Sequence, residues 1–176
     1  MTPLDHITRA ARVKVMIFDV DGILTDGSLT YGPDGEVTKT FNVLDGLGIQ
    51  LLQKTGVITA IISARKSPIV LARARDLGID YVWQGFHDKR VAFAELLVQT
   101  GLTAEQCGYI GDDVIDLPLL TKVGFAVTVP TGHPEVQHRA HYVTRAGGGR
   151  GAVREVCDLV MRAQGRYEEA LAPYFK

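Results

Sequence analysis

The chain has 176 residues, 46% hydrophobic and 22% charged, with 19 basic against 20 acidic side chains and a formal net charge of −1. That length suits one domain over residues 1–176, burying roughly 68–70% of its unfolded surface, and the apolar content excludes a disordered chain. Near-neutral charge leaves no basic field for nucleic acid, and no apolar run reaches the roughly 18 residues that span a bilayer. Residues 1–14 hold no apolar core of a signal peptide, and Cys107 and Cys157 show no CxxC spacing, as expected of reduced thiols. A cytoplasmic, soluble domain is the expectation.

Residues 13–20 form a continuous apolar run, read as a buried strand that ends in Asp19 and Asp21. Residues 29–31 and 36–41 flank Gly32-Pro33-Asp34-Gly35 and predict a hairpin, inserted over residues 22–45. Leu44, Leu47 and Leu51 follow at helical spacing, and residues 57–63 are a second buried strand. Ser67-Pro68 opens a helix that buries Val70, Ala74 and Leu77 and stops at Gly78. A strand at 81–83 precedes a helix over 89–100, with Phe93, Leu96 and Leu97 inward and Gly101 at its end.

Strands at 107–110 and 125–129 enclose a short helix near 115–122; a short helix at 135–140, an edge strand at 142–143 and a last helix near 151–162 complete the pattern. That last helix buries Val153, Val156 and Val160, ahead of a tail over 163–176. Only the Gly-rich segment 145–151 has biased composition, too flexible to pack alone. Strands alternating with helices predict an α/β fold, a doubly wound, Rossmann-like parallel sheet with helices on both faces and right-handed crossovers.

In such sheets ligands bind beyond the carboxyl ends of the strands, and there the polar residues gather. Asp19 and Asp21 follow the first strand, Ser63 the second, and Asp112 and Asp113 the fourth, while Lys89 opens a helix between. Alternation along an extended backbone points Asp19 and Asp21 the same way, and Gly22 leaves room for a ligand at the backbone. Clustered carboxylates repel by about 4 kcal/mol per pair at 4 Å and an effective dielectric near 20. A divalent cation relieves this, and oxygen-only ligands favour Mg²⁺ over zinc. With Lys89 and Ser63 holding a phosphoryl group, Asp19 is placed to attack phosphorus and Asp21 to move the protons. One of Asp112 and Asp113 caps the helix that follows.

Asp19-Val20-Asp21-Gly22, Ser63, Lys89 and Gly111-Asp112-Asp113-Val114-Ile115-Asp116 resemble, in order, the four motifs of the haloacid dehalogenase superfamily of phosphohydrolases. The resemblance implies a phosphorylated Asp19, an acid/base Asp21, and Mg²⁺ on Asp19, the Asp21 carbonyl and Asp112. It also implies that Lys89 and Ser63 bind phosphate and that Asp116, with Asp113 nearby, supports these ligands and orients the lysine. No segment is long enough for a cap domain, so the site accepts large substrates or borrows a lid from a neighbouring subunit.

Residues 41–49, Ser63-Ala64-Arg65-Lys66-Ser67, Gln84-Gly85 and 148–155 resemble the 3-deoxy-D-manno-octulosonate 8-phosphate phosphatases, a capless tetrameric family serving lipopolysaccharide synthesis. The resemblance implies substrate contacts at Asn42, Val43, Leu44, Asp45, Gly46, Ser63, Ala64, Arg65, Arg73 and Arg150, with the hairpin and Gly-rich segment completing a neighbour's site in a homotetramer. Taken alone, Asp45 is equally an N-cap, Arg73 a solvated helix residue and the glycine run a plain loop. Ala64 stands where the family shows glycine, and Leu44 and Gln50 where it tends to be basic, which leaves a nine-carbon sugar acid 9-phosphate as an alternative substrate. A signalling receiver domain has a different motif order, and an inert oligomeric module of the same fold is the third reading.

Overall fold

The computed structural model describes residues 5–176; residues 1–4, the start of the segment judged to lack a signal peptide, lie outside the described residues. The elements are α1 (His6–Ala10), β1 (Val15–Phe18), β2 (Thr30–Gly32), β3 (Gly35–Thr38), α2 (Val43–Lys54), β4 (Ile58–Ser63), α3 (Pro68–Leu77) and β5 (Tyr81–Gln84). Then come α4 (Lys89–Thr100), β6 (Cys107–Ile110), α5 (Leu117–Leu120), β7 (Phe125–Thr128), α6 (Pro134–Arg139), β8 (Tyr142–Val143), α7 (Ala152–Ala163) and α8 (Tyr167–Leu171). Six strands form one parallel sheet in the order β5-β4-β1-β6-β7-β8, and β2 and β3 form a separate antiparallel hairpin.

Strand alternation divides the interior in two. Met16 and Phe18 of β1 join Ile49 and Leu52 of α2, Val70 of α3 and Val153, Val156 and Val160 of α7 on one face. Val15 and Ile17 join Phe93 and Leu96 of α4, Leu119 of α5 and Val136 of α6 on the other. From β1 the chain proceeds one way to β4 and β5 and then the other way to β6, β7 and β8. The order therefore reverses beside β1, and the crevice at that reversal opens at its carboxyl end.

Three expectations are corrected. On the Leu44–Leu47–Leu51 face, Leu51 is buried and Leu47 packs against the core, but Leu44 is 55% exposed, and α2 also buries Asp45, Gly46, Gly48, Ile49 and Leu52. Gly48 lets α2 pack closely against α7, because a Cβ there would stand 3.0 Å from Arg154 Cα. Ser67 occupies the N-cap position of α3 without a side-chain cap bond; instead its N–H donates to Gln84 Oε1 at 2.7 Å. The last helix is not α7, since the tail folds as α8 and a 3₁₀ turn over Ala172–Phe175, with Ala170 buried. The Gly-rich segment, expected not to pack alone, packs on the turn after β1, its Gly149 N–H donating to Ile23 O at 2.9 Å.

Candidate active site

The strand ends converge on a cleft of about 290 Å³ lined by Asp19, Asp21, Gly27, Ser63, Ala64, Arg65, Lys89, Asp112, Asp113 and Ile115. Asp19 leaves β1 with its N–H still donating to Ile110 O of β6, at 3.0 Å, and its Oδ1 accepts from Val20 N–H at 2.7 Å. The backbone then turns helically, with Leu24 N–H donating to Val20 O at 2.8 Å. Asp21 therefore shares the cleft with Asp19 by way of a turn, not by strand alternation. Gly22 has φ +83°, and a Cβ on it would stand 2.0 Å from Asp112 Oδ2. What approaches Gly22 is thus the Asp112 carboxylate.

Lys89 is the first residue of α4, where the helix dipole disfavours a cation. Its side chain turns inward instead, 1% exposed, with Nζ 2.9 Å from Asp19 Oδ2 and 2.6 Å from Asp116 Oδ1. It also donates to the Tyr109 hydroxyl at 3.0 Å. Burial opposes the charge on Lys89, but the Asp19 and Asp116 carboxylates outweigh it and hold the ammonium above its ordinary range. Burial, then the Asp116 charge, pushes the Tyr109 phenol far upward, so it remains a donor, to Asp116 at 2.5 Å.

Asp116 is fully engaged: Oδ1 takes Lys89 and Tyr109, and Oδ2 accepts from Asp112 N–H at 2.9 Å and Asp113 N–H at 3.1 Å. Gly111 permits this, since a Cβ there would stand 2.5 Å from Asp116 Cγ. Asp113 caps the turn that follows, accepting from Val114 N–H. Asp19, Asp112 and Asp116 bring one oxygen each within 4.8 Å of one another. With Asp116 committed to four donors, Asp19 and Asp112 are the carboxylates free for a cation. Burial first, and the Asp116 charge second, raise the pKa of Asp19 and carry that of Asp112 to about 7. Two anions that the fold alone stabilises so poorly, with only oxygen donors around them, fit a hard divalent cation.

Ser63 ends β4, 3% exposed, and its Oγ accepts from Arg65 N–H at 3.3 Å. Arg65 spans the mouth of the cleft, with Nε 3.6 Å from Asp21 Oδ2 and Nη2 2.8 Å from the Tyr31 hydroxyl on the hairpin. Lys39, just after β3, is bonded to Asp21 and to Glu36. The sequence assigns Tyr31, Glu36 and Lys39 to the hairpin and Tyr109 to a strand, with no role at the site. Tyr109 lies in an apolar strand, and a hairpin lysine carries no signal of burial.

The remaining substrate residues expected from resemblance do not reach this cleft within one protomer. Asn42 caps α2 by accepting from Leu44 N–H and Asp45 N–H, and its Nδ2 donates to Gly149 O at 3.4 Å. Asp45, 1% exposed, accepts from Arg154 N–H at 2.8 Å and Gly151 N–H at 3.4 Å, tying down the start of α7. It is neither a cap of its own helix nor open to a ligand. Gly46 and Arg73 line a separate small pocket with Asn42, Asp45 and Phe41; Arg73 pairs with Asp76 at 2.7 Å. Val43 is 79% exposed, and Leu44 and Arg150 line a third groove along α7.

A carboxylate paired with a buried lysine, beside a second carboxylate at the switch of a parallel sheet, is the arrangement of the class of the haloacid dehalogenase-like hydrolases. The model of that family matches residues 78–153. The chain is 48% identical to the 3-deoxy-D-manno-octulosonate 8-phosphate phosphatase of Yersinia pestis, over 94% of this chain and 89% of that protein. A probable phosphatase from Pseudomonas syringae superposes with a TM-score of 0.95 at 47% identity, covering 98% of both chains. A 3-deoxy-D-manno-octulosonate 8-phosphate phosphatase from Moraxella catarrhalis, solved with magnesium, phosphate and the sugar acid, superposes with a TM-score of 0.92 at 42% identity, covering 96% of this chain and 97% of that one. The chain belongs to the family of 3-deoxy-D-manno-octulosonate 8-phosphate phosphatases.

Proposed function

We propose that the chain is one phosphatase domain that hydrolyses 3-deoxy-D-manno-octulosonate 8-phosphate through an aspartyl-phosphate on Asp19, as a cytoplasmic step of lipopolysaccharide sugar synthesis. The observation that carries this is Lys89, buried between Asp19 and Asp116 at the floor of a cleft that also holds Asp21, Ser63 and Asp112. Its ammonium screens Asp19 from an incoming phosphate dianion, and Ser63 Oγ and the backbone N–H groups after β4 offer donors to the phosphate oxygens. Asp19, the Asp21 carbonyl and Asp112 would hold Mg²⁺, which supplies charge neutralisation at the phosphoryl group.

A carboxylate oxygen of Asp19 forms the new bond to phosphorus while the bond to the sugar oxygen breaks. Asp21 passes a proton to the departing alkoxide. Asp21 then takes a proton from water, the resulting hydroxide bonds to phosphorus, and the Asp19–phosphorus bond breaks to release inorganic phosphate. Arg65 at the cleft mouth is a guanidinium for the carboxylate of the sugar acid. Asn42, Val43, Leu44, Gly46, Arg73 and Arg150, away from the cleft in one protomer, would serve a neighbour's site in a homotetramer, with Asp45 holding the Gly-rich segment beside them.

The test is Mg²⁺-dependent phosphate release from the eight-carbon sugar acid phosphate, beside a nine-carbon sugar acid 9-phosphate and a hexose phosphate. Preference for the first is expected, with Asp19→Asn folded but silent. Preference for the nine-carbon acid would transfer the substrate and keep the chemistry. Silence on all three, with Mg²⁺ bound, would overturn the proposal.

A further inference from the structure

Val37, Thr38 and Thr40, around the end of β3, are exposed, as a two-stranded hairpin in water requires. Lys39 among them is not: its side chain is 1% exposed. A lysine withdrawn from water needs partners, and Lys39 has carboxylates on both sides, Asp21 of the catalytic turn and Glu36 of its own hairpin, the latter at 2.7 Å. Arg65 closes the ring, 3.6 Å from Asp21 Oδ2 and 3.5 Å from Glu36 Oε1. Two cations and two anions thus join the hairpin to the turn that follows Asp19. The hairpin has few other means of attachment in this region, since Tyr31, Val37 and Leu29 are exposed.

We propose that Lys39 is a positioning residue for hydrolysis. It fixes the Asp21 carboxylate at the cleft and docks the hairpin that carries it. The inference rests on Asp21 moving protons at the reacting oxygens, and the ionised form that Lys39 holds is the one that takes the proton from water. Asp21 sits in a short turn, and its side chain is 23% exposed, so nothing in the backbone alone fixes where its carboxylate points. Proton transfer to the leaving oxygen demands that placement, and misplacing a reacting group by about 1 Å costs on the order of 100-fold in rate. Asp19, by contrast, is already held by Val20 N–H and Lys89.

Full-length Lys39→Met and Lys39→Arg enzymes are compared with wild type in Mg²⁺, on the phosphomonoester that wild type turns over fastest. The expected result is a fall in kcat of about 10–100-fold for Lys39→Met with KM within about 3-fold, and recovery to within about 5-fold of wild type for Lys39→Arg. A folded Lys39→Met enzyme with wild-type kcat, or with a rise in KM alone, overturns the inference. Should Lys39→Met not fold, Glu36→Gln keeps the lysine and removes one of its two anchors. Its kcat is expected to fall about 3-fold at unchanged KM, and no fall overturns the inference. Wild type silent on every phosphomonoester overturns this inference together with the role of Asp21, whereas wild-type kcat in Lys39→Met removes the inference alone.

Discussion

Asp19 and Asp112 are carboxylates that the fold holds against their preference. Burial raises both from the ordinary value of 3.8, Asp112 to about 7. The folded chain therefore binds these protons more tightly than the unfolded one, and the contribution of these two groups to metal-free stability falls as pH rises from about 4 to about 7. Mg²⁺ competes with the same protons, so its stabilisation grows over that window; it approaches about 2.7 kcal/mol when the free ion is at 100 times its Kd. Thermal melts with and without Mg²⁺ at pH 5 and pH 8 check this, and an equal shift at both pH values would remove the two carboxylates as ligands. At this scale much was legible in the sequence. Asp19, Ser63 and Asp112 sit at the carboxyl ends of strands, where ligands bind in such sheets, and Lys89 at a helix start that disfavours a cation. Lys39 and Tyr109 were not legible, because their meaning lies in partners 18 and 7 residues away, Asp21 and Asp116.

Helix α7 is braced through a carboxylate on α2. Asp45 accepts from the N–H groups of Gly151 and Arg154, and Asn42 reaches Gly149, so α2 holds both the Gly-rich segment and the start of α7. Removing Asp45 leaves buried donors without a partner, which costs about 1–3 kcal/mol. Asp45→Ala is expected to lose that much in urea denaturation, with Asp45→Asn losing less. Unchanged stability with a raised KM would return Asp45 to the substrate. The apolar stripe Leu44–Leu47–Leu51 holds at Leu47 and Leu51 but gives only part of the buried face of α2, for a physical reason. Gly46 and Gly48 contribute contact by having no side chain, and a periodicity of apolar side chains does not register them. The helix over Lys89–Thr100 and the strand over Cys107–Ile110 were read with correct bounds, since a helix start, a glycine stop and β-branched or aromatic runs mark them locally.

Across the whole molecule, the alternation of strands and helices sufficed for a parallel sheet, and the positions of the acidic motifs sufficed for its active end. What no local pattern contains is which residues share a pocket. The cleft, the Arg73 pocket and the groove along α7 are distinct in one protomer, although residues of all three resemble substrate contacts. If Arg73 serves a neighbour's cleft, Asp19→Asn and Arg73→Ala subunits, each impaired alone, are expected to regain turnover when co-assembled. Co-expression with separable tags and assay of the mixed oligomer checks this. No gain in a verified mixed assembly would confine each cleft to its own chain.

The placement of β1 between β4 and β6 sets a timetable for synthesis. A ribosome releases Asp19 and Asp21 early, yet one edge of β1 stays open until β6 follows, some 90 residues later by the register of Val15 with Cys107. Gly149 must then dock on Ile23 before the turn behind Asp19 has its last backbone support. The nascent chain thus carries Asp19 and Asp21 long before the cleft around them is complete, and for that interval one edge of its central strand stays open to wrong pairing.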